Sequence, residues 1–138
     1  MNISNIDELI NTKKSTLLCV GPMSKIFVDT SIELSNKHYF PLVLIASRRQ
    51  IDSKRFGGGY VNNWSTEDFA KYVKTKDKKK TIFLARDHGG PYQNDLEIKK
   101  KLSLQEAIKS CKHSYKSDIL NDFKFIHIDP SLEVFQKL

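Results

Sequence analysis

The sequence has 138 residues, 39% of them hydrophobic and 10% aromatic, which is enough to build the core of one globular domain and excludes a disordered chain. No apolar run reaches the length of a membrane span, and the N-terminus is polar and acidic where a signal peptide is basic and then apolar, so a cytoplasmic protein is expected. The net charge of +7 suggests nucleic-acid binding, but the lysines cluster at 74–80 and 99–101 without arginine or aromatic residues among them, which favours a solvated surface.

Strands and helices are predicted to alternate along the chain. A short helix is expected around Leu9 and Ile10, after Ser4 and Asp7. Continuous apolar runs predict four parallel strands covered on both faces, near 16–20, 42–46, 81–85 and 123–128. Amphipathic segments predict crossover helices, two of them after the capping residues Ser65 and Ser103, at 24–36, 66–74 and 104–111. The pattern predicts a single α/β domain, 1–138, made of about four βα units.

Polar and glycine-rich residues follow each predicted strand. These loops lie at 21–24, 47–60, 86–92 and 129–131. The carboxyl ends of parallel strands meet on one rim, where ligands bind in barrels and in open α/β sheets. The sequence therefore predicts one ligand site formed by several loops.

Asp87 and His88 follow the third predicted strand directly. A carboxylate that abstracts a proton, beside an imidazole that ligates a divalent metal, suits proton abstraction next to a metal-polarised carbonyl. We expect the two side chains to point to different sides of the rim. The structural alternative, which the residues leave equally open, is that Asp87 caps a turn and His88 bonds to it.

Other strand-end residues have two interpretations each. Either Arg48 or Arg49 is expected to clamp an anionic substrate, since adjacent side chains normally point apart. The glycines at 57–59 either let backbone amides approach a phosphate or form a turn that needs positive φ. Asp129, followed by Ser131 on the same rim, either orients a ligand hydroxyl or forms an Asx-type turn. His127 is interpreted as a core histidine inside the fourth strand.

Four segments together resemble one known family. In chain order they are VGPMS at 20–24, Gln50 with FGGGY at 56–60, RDHGGP at 86–91, and IHIDPS at 126–131. As a set, across 17–131, they resemble the non-catalytic subunit family of tagatose-bisphosphate aldolase, which is similar to the class II, metal-dependent ketose-bisphosphate aldolases.

The resemblance implies a TIM (β/α)₈ barrel and specific site residues. By that likeness Asp87 takes the proton-transfer role and His88 ligates zinc. The substrate-binding residues are then expected to be Arg48, Gln50, Gly58, Asp129 and Ser131. Two adjacent arginines before Gln50 depart from the family's form, which leaves the sugar phosphate undefined.

Four βα units are half of an eight-stranded barrel, so the resemblance predicts a truncated N-terminal half. We expect a non-catalytic subunit that stabilises a catalytic class II aldolase partner or self-associates, with a sugar phosphate as ligand. One alternative is a fragment of an active metal-dependent sugar-phosphate lyase. Another is a small basic nucleic-acid-binding protein that uses the lysines at 76–80.

Overall fold

The computed structural model describes residues 8, 10, 11 and 16–131. Glu8, Ile10 and Asn11 are helical, whereas the predicted capping residues Ser4 and Asp7 lie outside the described part. The strands are β1 (Leu18–Val20), β2 (Leu42–Ser47), β3 (Ile82–Asp87) and β4 (Phe123–Ile126). The helices are α1 (Lys25–His38), α2 (Thr66–Lys76), α3 (Asp95–Lys99) and α4 (Leu104–Leu120), with a 3₁₀ turn at Lys54–Phe56.

The four strands form one parallel sheet in the order β1-β2-β3-β4. A helix follows each of the first three strands, so the predicted α/β half-barrel architecture is confirmed. The strand ends differ from the prediction, because β3 continues through Arg86 and Asp87, which pair with Ala46 and Ser47. β4 stops at Ile126, and His127 therefore lies after the strand and not within it.

Local capping explains where the helices begin. Ser24 accepts a hydrogen bond from the backbone of Phe27 at the start of α1, and Ser65 caps α2. Ser103 and Glu106 form the predicted capping box at α4. α4 continues nine residues past the predicted end at Cys111, and the short helix α3 was not predicted. None of the helices in the described part is long and apolar enough to cross a membrane.

The core lies mainly between the sheet and its helices. One face of the sheet presents apolar residues of β2 and β3 to α1 and α2, and the buried cluster is Val28, Ile32, Leu42, Leu44, Ala46, Ile51, Val61, Trp64, Phe69, Ala70, Val73, Leu84 and Phe123. The opposite face carries a smaller buried cluster of Val43, Phe83 and Ala85. Coverage of both faces is thus confirmed for β2 and β3, whereas Leu18 and Cys19 of β1 are exposed.

A second feature of the interior is charged. Five fully or almost fully buried residues, Arg48, Asp52, Arg86, Glu97 and Asp118, make up what we call the buried ionic layer. The guanidinium of Arg86 donates from Nε and Nη2 to both carboxylate oxygens of Asp118, at 2.8 and 2.7 Å, and from Nη1 to the carbonyls of Ala46 and Ile51. These contacts join β3 to α4 and to the end of β2, directly beneath the rim.

Candidate functional site

Four titratable side chains meet where β3 and β4 end. Asp87 is the last residue of β3, and His88, His127 and Asp129 come from the two loops that follow β3 and β4. We call these four residues the rim cluster. The backbone bonds His127 N to Arg86 O, 2.9 Å, and Gly89 N to His127 O, 3.3 Å, hold the two loops side by side.

The rim cluster is a continuous chain of polar contacts. Nδ1 of His88 lies 2.9 Å from Oδ2 of Asp129, and its Nε2 lies 3.2 Å from Oδ2 of Asp87. Nδ1 of His127 lies 3.1 Å from Oδ1 of Asp87. The expectation that Asp87 and His88 point apart is therefore wrong, because His88 has a left-handed backbone (φ 44°) and its ring stands between two carboxylates. The interpretation of His127 as a core histidine is also wrong, since its side chain is 57% exposed.

Glycine allows the close approach of the two loops. An added Cβ at Gly90 would lie 1.5 Å from the carbonyl oxygen of Asp129, and one at Gly89 would lie 2.5 Å from Cε1 of Tyr115. Such contacts are far inside van der Waals distance. The Gly-Gly pair after His88 is therefore a packing requirement of the site.

The carboxylate of Asp129 is held by several hydrogen bonds. It is buried and accepts hydrogen bonds from Nε2 of Gln93 at 2.9 Å and from the backbone N of Ser131 at 3.0 Å, in addition to the contact with His88. Hydrogen bonds from the Ser131 side chain, from His88 and from the Ser131 backbone lower the pKa of Asp129 to about 2. The bond to Ser131 N makes the Asx-type turn, and the same carboxylate also faces His88.

A cavity of about 300 Å³ adjoins the cluster, lined by Ser47, Arg49, His88, Gln93 and Ser131. Arg49 is partly exposed, and its Nε lies 2.7 Å from Oδ1 of the exposed Asp95. A partly exposed guanidinium next to two hydroxyl groups offers hydrogen-bond donors suited to an oxyanion. Sequence reasoning missed Ser47 and Gln93 as lining residues. Ser47, which ends β2, had a positional clue, whereas Gln93 had none.

Of the five predicted substrate-binding residues, only Ser131 lines this cavity; Asp129 lies in the adjoining rim cluster, and the other three lie elsewhere. Arg48 is fully buried, with Nε 3.1 Å from Asp52 and Nη2 2.7 Å from Glu97, so Arg49 is the member of the pair that reaches the cavity. Gln50 is buried and uses Oε1 to accept from Ser47 N and Nε2 to contact the sulfur of Met23.

The backbone of Gly58 fits the interpretation of the glycine run as a turn that needs positive φ. Its φ is 78°, and an added Cβ would lie 2.8 Å from the carbonyl oxygen of Trp64. Gly59 is even tighter, because a Cβ there would lie 2.0 Å from Gln50 O. The glycine run therefore lets the loop after β2 fold against itself.

The fit of a metal ion can be tested on the donor set. Both ring nitrogens of His88 are engaged by carboxylates, Nδ1 by Asp129 at 2.9 Å and Nε2 by Asp87 at 3.2 Å. Across the residues that the structure describes, no group of three or more His, Cys, Asp or Glu side chains is arranged to hold a metal ion. The donor set among these residues does not fit the zinc implied by the resemblance.

No protein-family model matches the sequence, and no curated protein matches it at a significant level. Among solved structures, the fold is similar to the crystal structure of a probable tagatose 6 phosphate kinase from Sinorhizobium meliloti 1021, with a TM-score of 0.68 at 19% sequence identity. The similarity covers 86% of this chain and 30% of that chain. At this identity the likeness shows the class of fold alone, a parallel α/β sheet flanked by helices, and this chain spans less than a third of the length of that structure.

Proposed function

We propose that this chain is a sugar-phosphate-binding protein of carbohydrate metabolism, acting as the non-catalytic subunit of a class II tagatose-bisphosphate aldolase. The observation that carries the proposal is the cavity at the strand ends, where the guanidinium of Arg49 stands beside the rim cluster. The four-segment resemblance and the fold shared with the probable tagatose 6 phosphate kinase support the same class of ligand. The identities of the sugar and of the partner subunit are parts of this proposal.

The cavity offers complementary chemistry for the two ends of a sugar phosphate. Within the described part of the chain, Arg49 pairs with the exposed carboxylate of Asp95, which a phosphate can displace at small cost. Hydroxyl groups of Ser47 and Ser131 add neutral donors. In the adjoining rim cluster, the carboxylate of Asp129 stays ionised at neutral pH, and Asp87 offers a second carboxylate as an acceptor for sugar hydroxyl groups.

A binding role fits the cluster better than turnover by this chain alone. Asp87 already contacts His88 and His127, and a metal that would polarise a substrate carbonyl lacks a suitable donor set in the described part. The alternative, a fragment of an active metal-dependent lyase, requires zinc bound at His88. Catalysis in the assembly is therefore assigned to the partner subunit, which this chain stabilises.

Calorimetric titration with tagatose 1,6-bisphosphate tests the binding step. We expect saturable binding to the purified chain, weakened about tenfold in Arg49→Met, because one charge-assisted contact to phosphate is lost. Arg55→Met is the matched control, since Arg55 is exposed and contacts His113 away from the cavity. Equal binding of unphosphorylated tagatose, or equal affinity of wild type and Arg49→Met, would contradict the proposal.

Light scattering with a catalytic class II aldolase subunit tests the partner step. We expect a soluble complex that prolongs the activity of the catalytic subunit on heating. Asp87→Asn and His88→Ala should retain this stimulation, because the proposed role needs no chemistry from them. Loss of stimulation in both folded variants, together with zinc binding by the wild type, would favour the lyase alternative instead.

A further inference from the structure

A second and larger cavity lies at the opposite end of the strands from the rim. It occupies about 730 Å³ between the C-terminal parts of α2 and α4, at the amino ends of β3 and β4. We call it the basic groove; its lining residues are Ala70, Lys71, Val73, Lys74, Asp77, Lys80, Ile82, Phe83, Leu84, Leu120, Asn121, Asp122 and Lys124.

The floor of the basic groove is apolar. Buried or half-buried side chains of α2 and β3, among them Val73, Ile82 and Leu84, form it. Leu120, the last residue of α4, stands at its edge and is 73% exposed. An exposed leucine next to an apolar depression is a typical anchor for a partner, because covering both removes apolar surface from water.

The edge of the basic groove is positive. Lys71 and Lys74 of α2, Lys80 before β3 and Lys124 of β4 all line it. Within the described residues, Lys71, Lys74 and Lys80 form no ion pair, whereas Lys124 pairs with Asp122.

The other carboxylate of the groove, Asp77, is already engaged. It accepts from Ile82 N at 2.8 Å and from Asn36 at 2.8 Å. The groove therefore presents its positive charge to solvent.

Stabilisation of helix ends explains only part of this charge. Lysines in a last turn favourably offset the negative end of a helix, and Lys74 lies in the last turn of α2. Lys71, Lys80 and Lys124 lie outside any last turn, and the last turn of α4 contains no basic residue. Helix-end stabilisation therefore does not account for Lys71, Lys80 and Lys124.

We infer that the basic groove docks an amphipathic helix of a partner protein that carries apolar residues on one face and Asp or Glu on its flanks. Such a helix places two or three apolar side chains on the floor against Leu120 while its carboxylates meet the lysines. Electrostatic complementarity selects this partner over a neutral or basic helix. The inference goes beyond the proposed function, and if that function holds, the groove lets the subunit contact its partner without covering the rim.

Fluorescence anisotropy with a synthetic labelled helix tests the inference on the full chain. The probe carries leucine at positions i, i+3, i+4 and i+7 with glutamate on both flanks, and its comparison peptides are a scrambled version and one with lysine in place of glutamate. We expect binding of the first peptide, weakened about tenfold by Lys71→Glu/Lys74→Glu and several-fold by Leu120→Ser.

Matched controls separate the groove from overall charge and hydrophobicity. Lys109→Glu/Lys112→Glu makes the same charge change at the same spacing on the exposed side of α4, and Ile26→Ser removes an equally exposed apolar residue from α1. Both should bind the peptide as wild type does. Equal losses of peptide binding in the groove and control variants, or equal binding of the scrambled peptide, would overturn the inference. It would also be overturned if a single-stranded oligonucleotide displaced the labelled helix as well as the unlabelled helix does.

The two proposals fail separately. Arg49→Met should weaken sugar-phosphate binding and leave peptide binding unchanged, and Lys71→Glu/Lys74→Glu should do the reverse. Circular dichroism confirms that each variant is folded before binding is compared.

Discussion

The rim cluster and the buried ionic layer both pair carboxylates with basic side chains, and they adjoin on β3, where Asp87 follows Arg86. Arg86 is fully buried against Asp118, whereas the side chain of its neighbour Asp87 is 35% exposed between two histidines. Because water screens the half-exposed Asp87, its contacts can be exchanged for a ligand at small cost, whereas a buried charge that loses its partner is left without compensation. The comparison teaches that burial, more than residue type, separates binding groups from structural ones.

The largest effect should come from breaking the buried pair. Arg86→Met leaves Asp118 buried without its partner, and we expect the free energy of unfolding to fall by about 3–5 kcal/mol in urea denaturation. Burial already raises the pKa of Asp118, and losing Arg86 raises it further. The variant should therefore be relatively more stable at acidic pH, where Asp118 is protonated, and lose stability as the pH rises.

A double variant is the control for this test. Arg86→Met/Asp118→Leu removes both charges, and most of the lost stability should return. A loss below about 1 kcal/mol in the single variant would mean that the buried layer is no more critical than a surface pair.

Gly90 contacts both Arg48 of the buried ionic layer and Asp129 of the rim cluster, and its replacement should cause the next largest loss of stability. The Cβ of Gly90→Ala would lie 1.5 Å from Asp129 O, so the rim loops must separate, at a cost of about 3 kcal/mol. Gly57→Ala is the control, since its Cβ meets nothing within 4 Å and only its φ of 83° costs about 1 kcal/mol. Thermal unfolding of both variants measures the difference, and equal losses would show that crowding at Gly90 is relieved elsewhere.

Asp129 provides a smaller, pH-dependent effect of about 1–2 kcal/mol. Its folded pKa of about 2 lies below the usual value of 3.8, so the ionised form contributes stability above pH 4 that is lost as the pH falls towards 2. Asp129→Asn should be less stable at neutral pH and decline less steeply in this acidic window. Carbon NMR of the carboxyl group should give a midpoint near pH 2, and a midpoint near 4 would contradict the hydrogen-bonded geometry.

Arg49→Met should have the smallest effect on stability, within about 0.5 kcal/mol of wild type. Its partner Asp95 is exposed, so either charge can be hydrated when the pair is broken. Denaturant titration, run beside the calorimetric binding experiment, would then separate a binding residue from a structural one. A large loss of stability would mean that Arg49 has a structural role, like the arginines of the buried ionic layer.

Local patterns predicted much of the fold. The caps Ser65 and Ser103 bond within three residues of themselves, so short spacing reveals them. The rim as the polar end of the sheet was also predictable, because all parallel strands end there. Which of Arg48 and Arg49 reaches the cavity was not predictable, because Arg48 is held by contacts with Glu97 and Gly90, more than forty positions away.

The sequence by itself determined the alternation of strands and helices, the helix starts and the loops that carry polar side chains, because these depend on neighbours a few residues apart. Only the tertiary structure decided which of those side chains are buried. Arg86 meets Asp118 across 32 positions, and His88 meets Asp129 across 41. Such contacts form when elements pack, and packing sets the desolvation that makes one arginine structural and leaves another free to bind.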